Sequence, residues 1–205
     1  MIAVTAAYRI ETRWMRDVEG VRCVRTAVGA RAPEALDVFA ETFEVSTVVS
    51  TGFCGGLGED LKTGDLVLAD VVRHRDEEIL VAPQLLALAR VALDGAAHVG
   101  ACESVSHVVD GPGKRSLARG GAVSVDMESG PLALWARDRQ VPFLSLRVVL
   151  DPLGADIPLD VDGSPIGAAL RHPVWSLRAA RWAFPAGRTL GRALNNLLPA
   201  LKEGP

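Results

Sequence analysis

The stretch AVSVDMESGPLALWARDRQVPFLSLRVVLD, residues 122–151, changes its hydrophobic period twice and so decides the fold class. Residues 122–125 (AVSV) form a short apolar strand, 128–140 (ESGPLALWARDRQ) read as a helix, and 143–150 (FLSLRVVL) are an unbroken apolar run of strand length. A continuous apolar strand next to a helix predicts a sheet buried on both faces, because the connecting helix covers one of them. The alternation continues upstream. MIAVTAA (1–7) and VRCVRTAV (21–28) read as strands. PEALDVFAETF (33–43) is an amphipathic helix with Pro33 at its start and Leu36, Phe39, Ala40 and Phe43 at three-to-four spacing. STVVST (46–51) reads as a strand ending in a glycine turn, DLVLADVV (65–72) as a strand, and PQLLALARVALDG (83–95) as a helix stopped by Gly95. The expectation is a single-domain α/β fold: a central mixed β-sheet flanked by helices, followed by a basic C-terminal helical tail.

Composition sets the outer limits. The 205 residues carry 22 basic and 25 acidic side chains and are 49% hydrophobic, which suits one globular unit able to bury a sizeable core without disulfides or a structural metal. Charges break each apolar run before the ~18 residues a membrane span needs, and Arg9 and Glu11 come too early for a signal peptide, so the expected location is cytoplasmic. Cys23, Cys54 and Cys102 form no CxxC pair and read as small buried hydrophobes. The four histidines show no HxxxH or HExxH spacing, and no metal is expected. From residue 165 onward six basic side chains face Glu203 alone, which leaves +5 there and −8 in residues 1–164. Such asymmetry points to an anionic neighbour for the basic part. The loop-like GADIPLDVDGSP (154–165) marks the one internal boundary, between a unit over 1–164 and a basic helical segment over 165–205.

In open α/β sheets ligands bind at strand ends, so carboxylates and glycines there are the candidates for chemistry. They are Glu11 beyond the first strand, the turn Thr51-Gly52-Phe53-Cys54-Gly55-Gly56, the trio Asp126-Met127-Glu128, and Asp151. Each also has an ordinary explanation. Glu11 can be a solvated glutamate, and Asp126 and Glu128 suit the N-terminus of a helix by its dipole. The glycine turn lacks the lysine of a P-loop and the GxGxxG spacing of a dinucleotide site. Asp151 ends an apolar strand with only Ser145 and Arg147 as polar company, where desolvation raises a carboxyl pKa toward the range of a general acid.

The run TGFCGGLGEDLKTGDLVLAD (51–70), the run VDMESGPLALWARDRQVPFLSLRVVLD (125–151) and AAYRIE ending at Glu11 resemble the nucleoside phosphorylase/nucleosidase superfamily, which includes the methylthioadenosine/S-adenosylhomocysteine nucleosidases. The most specific elements are the D-M-E trio, Val141-Pro142-Phe143, and the R-V-x-x-D ending from Arg147 to Asp151. Length, the DPLG continuation and the tail are most similar to the hopanoid-associated branch. The resemblance implies cleavage of a purine N-glycosidic bond with release of adenine, adenosylhopane being the substrate suggested by that branch. The alternatives are a methylthioadenosine/S-adenosylhomocysteine or futalosine nucleosidase, a purine nucleoside phosphorylase, or a non-catalytic nucleoside- or lipid-binding protein of the same fold. It implies that Asp151 protonates the purine at N7, Glu11 activates water, and Glu128 binds the ribose hydroxyls with Met127 against the sugar. Gly52 and Phe53 then border the substrate, and Val108 and Val109 line the base pocket. No cofactor is implied, inorganic phosphate being the one conceivable co-substrate, and a homo-oligomer is expected. Phosphorylases of the superfamily hold phosphate with an arginine and a serine, where this chain has Ser50 and Phe53. Water is therefore the expected nucleophile, and Phe53 and Leu150 are expected to alter the support of Asp151 and the contacts to the base.

Along the tail, Trp175, Ala179 and Trp182 fall on one helical side and Leu177 and Phe184 on the other, with Arg178 and Arg181 between. A second stretch carries Leu190, Leu194, Leu197, Leu198 and Leu201 with Arg188 and Arg192. The expectation is a terminal helix pair, with residues 171–201 as a candidate surface for anionic lipid. Net charge −3 and few aromatics argue against nucleic acid as a partner.

Overall fold

In the computed structural model, which describes residues 1–155 and 173–204, the elements in chain order are β1 (Ile2–Ala6), β2 (Val21–Arg25), α1 (Pro33–Ala40), β3 (Thr47–Gly56), β4 (Leu66–His74), β5 (Glu77–Leu80), α2 (Pro83–Ala92), β6 (Ala97–Ser104), α3 (Gly111–Arg119), β7 (Ala122–Asp126), α4 (Ser129–Asp138), β8 (Phe143–Asp151) and α5 (Pro173–Glu203). A short 3-10 turn, Gly29–Arg31, leads into α1. β3 lies parallel to β1 and to β8, and β1 in turn carries β2. β8 is antiparallel to β4, β4 parallel to β6, and β6 parallel to β7. The end of β7 then returns to β3, with Gly55 opposite Val125 and Gly56 opposite Ser124. Five strands, β3-β8-β4-β6-β7, thus close on one another, and a mixed sheet with helices packed on it is the α/β architecture read from residues 122–151.

The core explains the closure. β8 is buried along nearly its whole length, as a strand paired on both edges and covered by helices must be. α4 packs on β4, β6 and β8, and α5 packs on β8 and α2. The buried stripe of α5 is Ala186, Leu190, Ala193, Leu194, Leu197 and Leu198, the three-to-four spacing of an amphipathic helix. Each fully buried leucine there contributes roughly 1.5–3 kcal/mol by removal from water, so the C-terminal helix is part of the core.

Several expectations change in detail. The glycine stretch after residue 51 is strand, and β3 runs through it to Gly56. The glycines are needed because neighbours press on that strand: a Cβ on Gly55 would meet Val125 Cγ1 at 3.0 Å, and one on Gly56 would meet Val149 Cγ1 at 3.0 Å. β5, β6 and α3 were not foreseen. EEIL and AHVGACES have little apolar contrast, and their pairing with β4 and β7 makes them strands. The helix in GPGKRSLAR is masked by its two glycines and proline, yet Asp110 caps it by accepting the Gly113 N–H at 2.8 Å. The expected helix pair is one helix with Pro185 and Pro199 inside it. Cys23 is exposed, whereas Cys54 and Cys102 are buried and all three are free thiols. The boundary at 164/165 and the faces expected for Trp175, Leu177, Arg178 and Ala179 lie outside the described residues. Among the described residues no helix is long and apolar enough to cross a membrane.

Candidate active site

Glu11 leaves β1 on a short loop and is 3% exposed. Its Oε2 accepts the Tyr8 N–H at 2.8 Å and its Oε1 accepts the Phe53 N–H at 3.1 Å, so two backbone donors fix the carboxylate against β3. Gly52 makes this approach possible: a Cβ there would lie 2.6 Å from Arg147 Nη1 and 2.7 Å from Glu11 Oε1, and its φ is +151°. Burial pushes the Glu11 carboxyl above its ordinary value, against the pull of those N–H groups and of Arg147 and Arg25.

Glu128 joins β7 to α4 and accepts the Gly29 N–H at 3.0 Å. Its carboxyl is pushed up to about 7, chiefly by burial; Asp126 and Glu11 add to the rise, while Arg147 and the Gly29 N–H oppose it. Met127 Cε lies 3.8 Å from where a Cβ on Gly29 would stand, so its side chain rests over the same turn. The Tyr8 phenol, raised first by burial, also feels Glu128 and Glu11.

Beneath these groups Arg147, in the middle of β8, is 2% exposed and pairs through Nε with Asp126 Oδ2 at 2.7 Å. Its Nη2 donates to Ser50 Oγ at 2.6 Å and Ser129 Oγ at 2.9 Å. Asp126 also accepts the Ser129 N–H, which ties α4 to this buried pair. The strand arginine therefore spends itself on Asp126, and Ser50, one of the positions compared with a phosphate site, is engaged by it. Phe53 contributes its N–H to Glu11, while its side chain packs against the main core.

Asp151 closes β8 at 7% exposure, opposite Gly55. The apolar isolation expected for it is replaced by an ion pair: Asp151 Oδ2 takes the ammonium of Lys114, a lysine of α3 that is 2% exposed. Ser145 and Arg147, expected as its polar company, face Ser129 and Asp126. Lys114 thus gives Asp151 a charged partner. Thr63 Oγ1 donates to the Leu150 carbonyl at 3.0 Å, which fixes the backbone just before the aspartate.

β3 brings the pieces together. Phe53 holds Glu11 and Gly55, two residues on, lies opposite Asp151, so the two carboxylates attach about 7 Å apart along one strand. Glu128 approaches from the end of neighbouring β7. Val109 packs with Leu57, Ala122 and Val125, and Val125 touches Gly55; Val108 is 45% exposed. Lys114 and the Arg147–Asp126 pair were missed by sequence reading. Lys114 shares a helical face with Leu117 and Ala118, and a lysine on an apolar face needs a buried anion, as an arginine in an apolar strand does. Among the described residues no group of three or more His, Cys, Asp or Glu side chains is arranged to hold a metal ion.

Residues 18–166 match the sequence profile of the phosphorylase superfamily. The chain belongs to that superfamily. The matched span takes in Phe53, Lys114, Glu128 and Asp151, and Glu11 lies ahead of it. Among curated relatives, a 5′-methylthioadenosine/S-adenosylhomocysteine nucleosidase of Shewanella denitrificans is 28% identical over 170 residues, covering 70% of this chain and 74% of that protein. One of Bacillus licheniformis is 23% identical over 164 residues, covering 68% and 71%. Among solved structures, this phosphorylase-superfamily chain superposes on the S. pneumoniae nucleosidase, crystallised with the transition-state inhibitor MT-ImmA, with a TM-score of 0.74 at 19% identity over 98% of this chain and 99% of that one. The Neisseria meningitidis nucleosidase with methylthio-immucillin-A gives 0.75 at 18% identity over 96% and 97%. These superpositions bear on the fold.

Proposed function

We propose that the chain is an N-ribosyl hydrolase that releases adenine from a purine nucleoside bearing a 5′ substituent, with water as the nucleophile and no cofactor. The observation that supports the reading is that three largely buried carboxylates, Glu11, Glu128 and Asp151, sit at neighbouring ends of the paired strands β3, β7 and β8. N-glycoside cleavage passes through an oxocarbenium-like state, which needs an acid on the leaving group, a base on the nucleophile and negative charge near the sugar. Asp151 serves the purine N7. Glu11, raised above its ordinary value by burial, is a stronger base toward the attacking water than a solvated glutamate. Glu128 accepts from the ribose hydroxyls, with Met127 against the sugar, while Gly52, Phe53, Val108 and Val109 border the nucleoside. Water is favoured over phosphate because the buried guanidinium of Arg147 is already committed to Asp126, Ser50 and Ser129. The test is adenine release with and without phosphate, with mass spectrometry of the sugar product; a phosphate-dependent sugar phosphate overturns the choice of water.

For the 5′ group we assign a large apolar substituent, adenosylhopane in the first instance, supported by Tyr8 and Val28, exposed beside the residues that hold Glu11 and Glu128, and by exposed Val108. The names of the curated relatives favour a second reading, methylthioadenosine or S-adenosylhomocysteine. Parallel assays on lipidic and soluble 5′-substituted adenosines separate the two. Exposed Phe184 with Arg181, Arg188 and Arg192 on the outer side of α5 supports peripheral association with anionic membranes from the cytoplasmic side. Vesicle sedimentation of a triple Arg→Glu variant tests this, since the core face of α5 stays intact. A homo-oligomer is the assembly that accompanies this function, and sedimentation velocity reads it.

A further inference from the structure

Lys114 carries more than a structural pairing. Its ammonium meets Asp151 Oδ2 and also donates to the carbonyls of Asp151 at 3.2 Å, Pro152 at 3.4 Å and Ala155 at 3.2 Å. Those carbonyls belong to the single turn after β8, closed by the Ala155 N–H on the Pro152 carbonyl at 2.9 Å. The three N–H groups of the ammonium are shared among four acceptors, the Asp151 carboxylate and the three carbonyls of the turn that presents it. Gly55 leaves the way open: a Cβ there would stand 3.3 Å from Lys114 Cε and 3.6 Å from Asp151 Oδ2. A carboxylate facing an ammonium is held as an anion, and an anion cannot protonate a purine. Lys114 holds a proton within hydrogen-bond reach of the Asp151 carboxylate, and lysine, unlike arginine, can release one when buried.

We propose that Lys114 is the proton store and positioning residue for Asp151. The inference rests on the reading of Asp151 as the acid toward the base. A proton leaves Nζ for the Asp151 carboxylate and passes from it to N7 of the purine as the C1′–N9 bond breaks. The bonding pair goes to N9 and the base departs neutral. The water that adds to C1′ yields its proton to Glu11, and after the products leave Glu11 releases that proton to solvent while Lys114 takes one up. Asp110 caps α3, Arg115 and Arg119 of α3 are exposed, and Asp126 of β7 belongs to Arg147 of β8. Burial pushes the Cys54 thiol of β3 well above its ordinary value and keeps it neutral.

The test is kcat and kcat/KM of Lys114→Met and Lys114→Arg from pH 5.5 to 9, with adenine binding and thermal unfolding as checks on the fold. The wild type should hold its kcat to pH 8. Lys114→Met leaves Asp151 to bind its own proton, so its kcat should lie within tenfold of wild type at pH 5.5 and fall about tenfold per pH unit at higher pH. Lys114→Arg keeps the charge but not the transferable proton, and should bind adenine while losing at least 100-fold in kcat at every pH. Wild-type kcat in Lys114→Arg, or a wild-type pH profile in Lys114→Met, overturns the proposal. If Lys114→Met fails to fold, Lys114→Arg decides. Failure of the broader reading looks different: Asp151→Asn would then turn over like wild type, whatever the lysine variants do.

Discussion

Replacing Glu128 by Gln should make the protein more stable above about pH 4.5, with the gain growing up to about pH 7 and constant beyond it. The carboxyl is buried between β7 and α4, and its pKa rises from 4.5 to about 7. Between those values the folded chain binds a proton that the unfolded chain has released, so folding stability falls as pH rises through this window. At 1.36 kcal/mol per pH unit the full loss is about 3 kcal/mol above pH 7, and nothing is lost below pH 4.5. Gln keeps an Oε1 for the Gly29 N–H and so removes the charge without orphaning that donor. Glu128→Gln should therefore match the wild type in urea unfolding at pH 4.5 and exceed it by up to about 3 kcal/mol at pH 8. In a chain of this length each kcal/mol shifts the midpoint by about 2–4 °C, so thermal melts should separate by about 6–12 °C at pH 8. A stability difference that does not change with pH, or one that turns against the Gln variant as pH rises, refutes the account. The same substitution should weaken nucleoside binding, because an amide cannot accept from two ribose hydroxyls as a carboxylate can. A site residue that costs stability until its ligand arrives is the pattern expected of function.

Other substitutions read other parts of the structure. Asp151→Asn should lower kcat by at least 100-fold with little change in adenine binding, since a proton donor acts chiefly on the transition state; unchanged turnover removes Asp151 from the mechanism. Gly52→Ala places a Cβ 2.6–2.7 Å from Arg147 Nη1 and Glu11 Oε1 and should cost about 1–3 kcal/mol in chemical unfolding while also reducing kcat, as overpacking and displacement of Glu11 would. A wild-type kcat in that variant would mean that Glu11 needs no fixed position. Leu194→Ala, on the buried stripe of α5, should cost about 2–5 kcal/mol; a change under about 0.5 kcal/mol would mean that α5 is dispensable to the core.

Much of the fold was legible because burial writes itself into period. The apolar runs of β1 and β8 and the three-to-four spacing of α1 and α2 follow from one-dimensional patterns, and so does the α/β class. The elements that were not legible are those whose residues say little locally. β5 and β6 are strands because β4 and β7 offer them edges, and the glycines of β3 stay in the strand because Val125, Val149 and Glu11 press on it. Spacing alone gave the carboxylates Glu11, Asp126, Glu128 and Asp151 as strand-end residues.

What each of them faces was decided only by the tertiary structure. Sequence placed Arg147 four residues before Asp151, a separation that keeps two side chains on one face of a regular strand, yet β8 shifts register against β3 between Val149 and Asp151, and distance along a chain is not distance in space. Arg147 of β8 meets Asp126 of β7, across 21 residues of chain, and Asp151 meets Lys114 of α3, a helix packed on β7, 37 residues away. The sequence by itself determined the class of fold, the family resemblance and the carboxylates available. Which cation sits beside which carboxylate is a property of the folded core, because a buried charge is tolerated only where the fold delivers a partner to it.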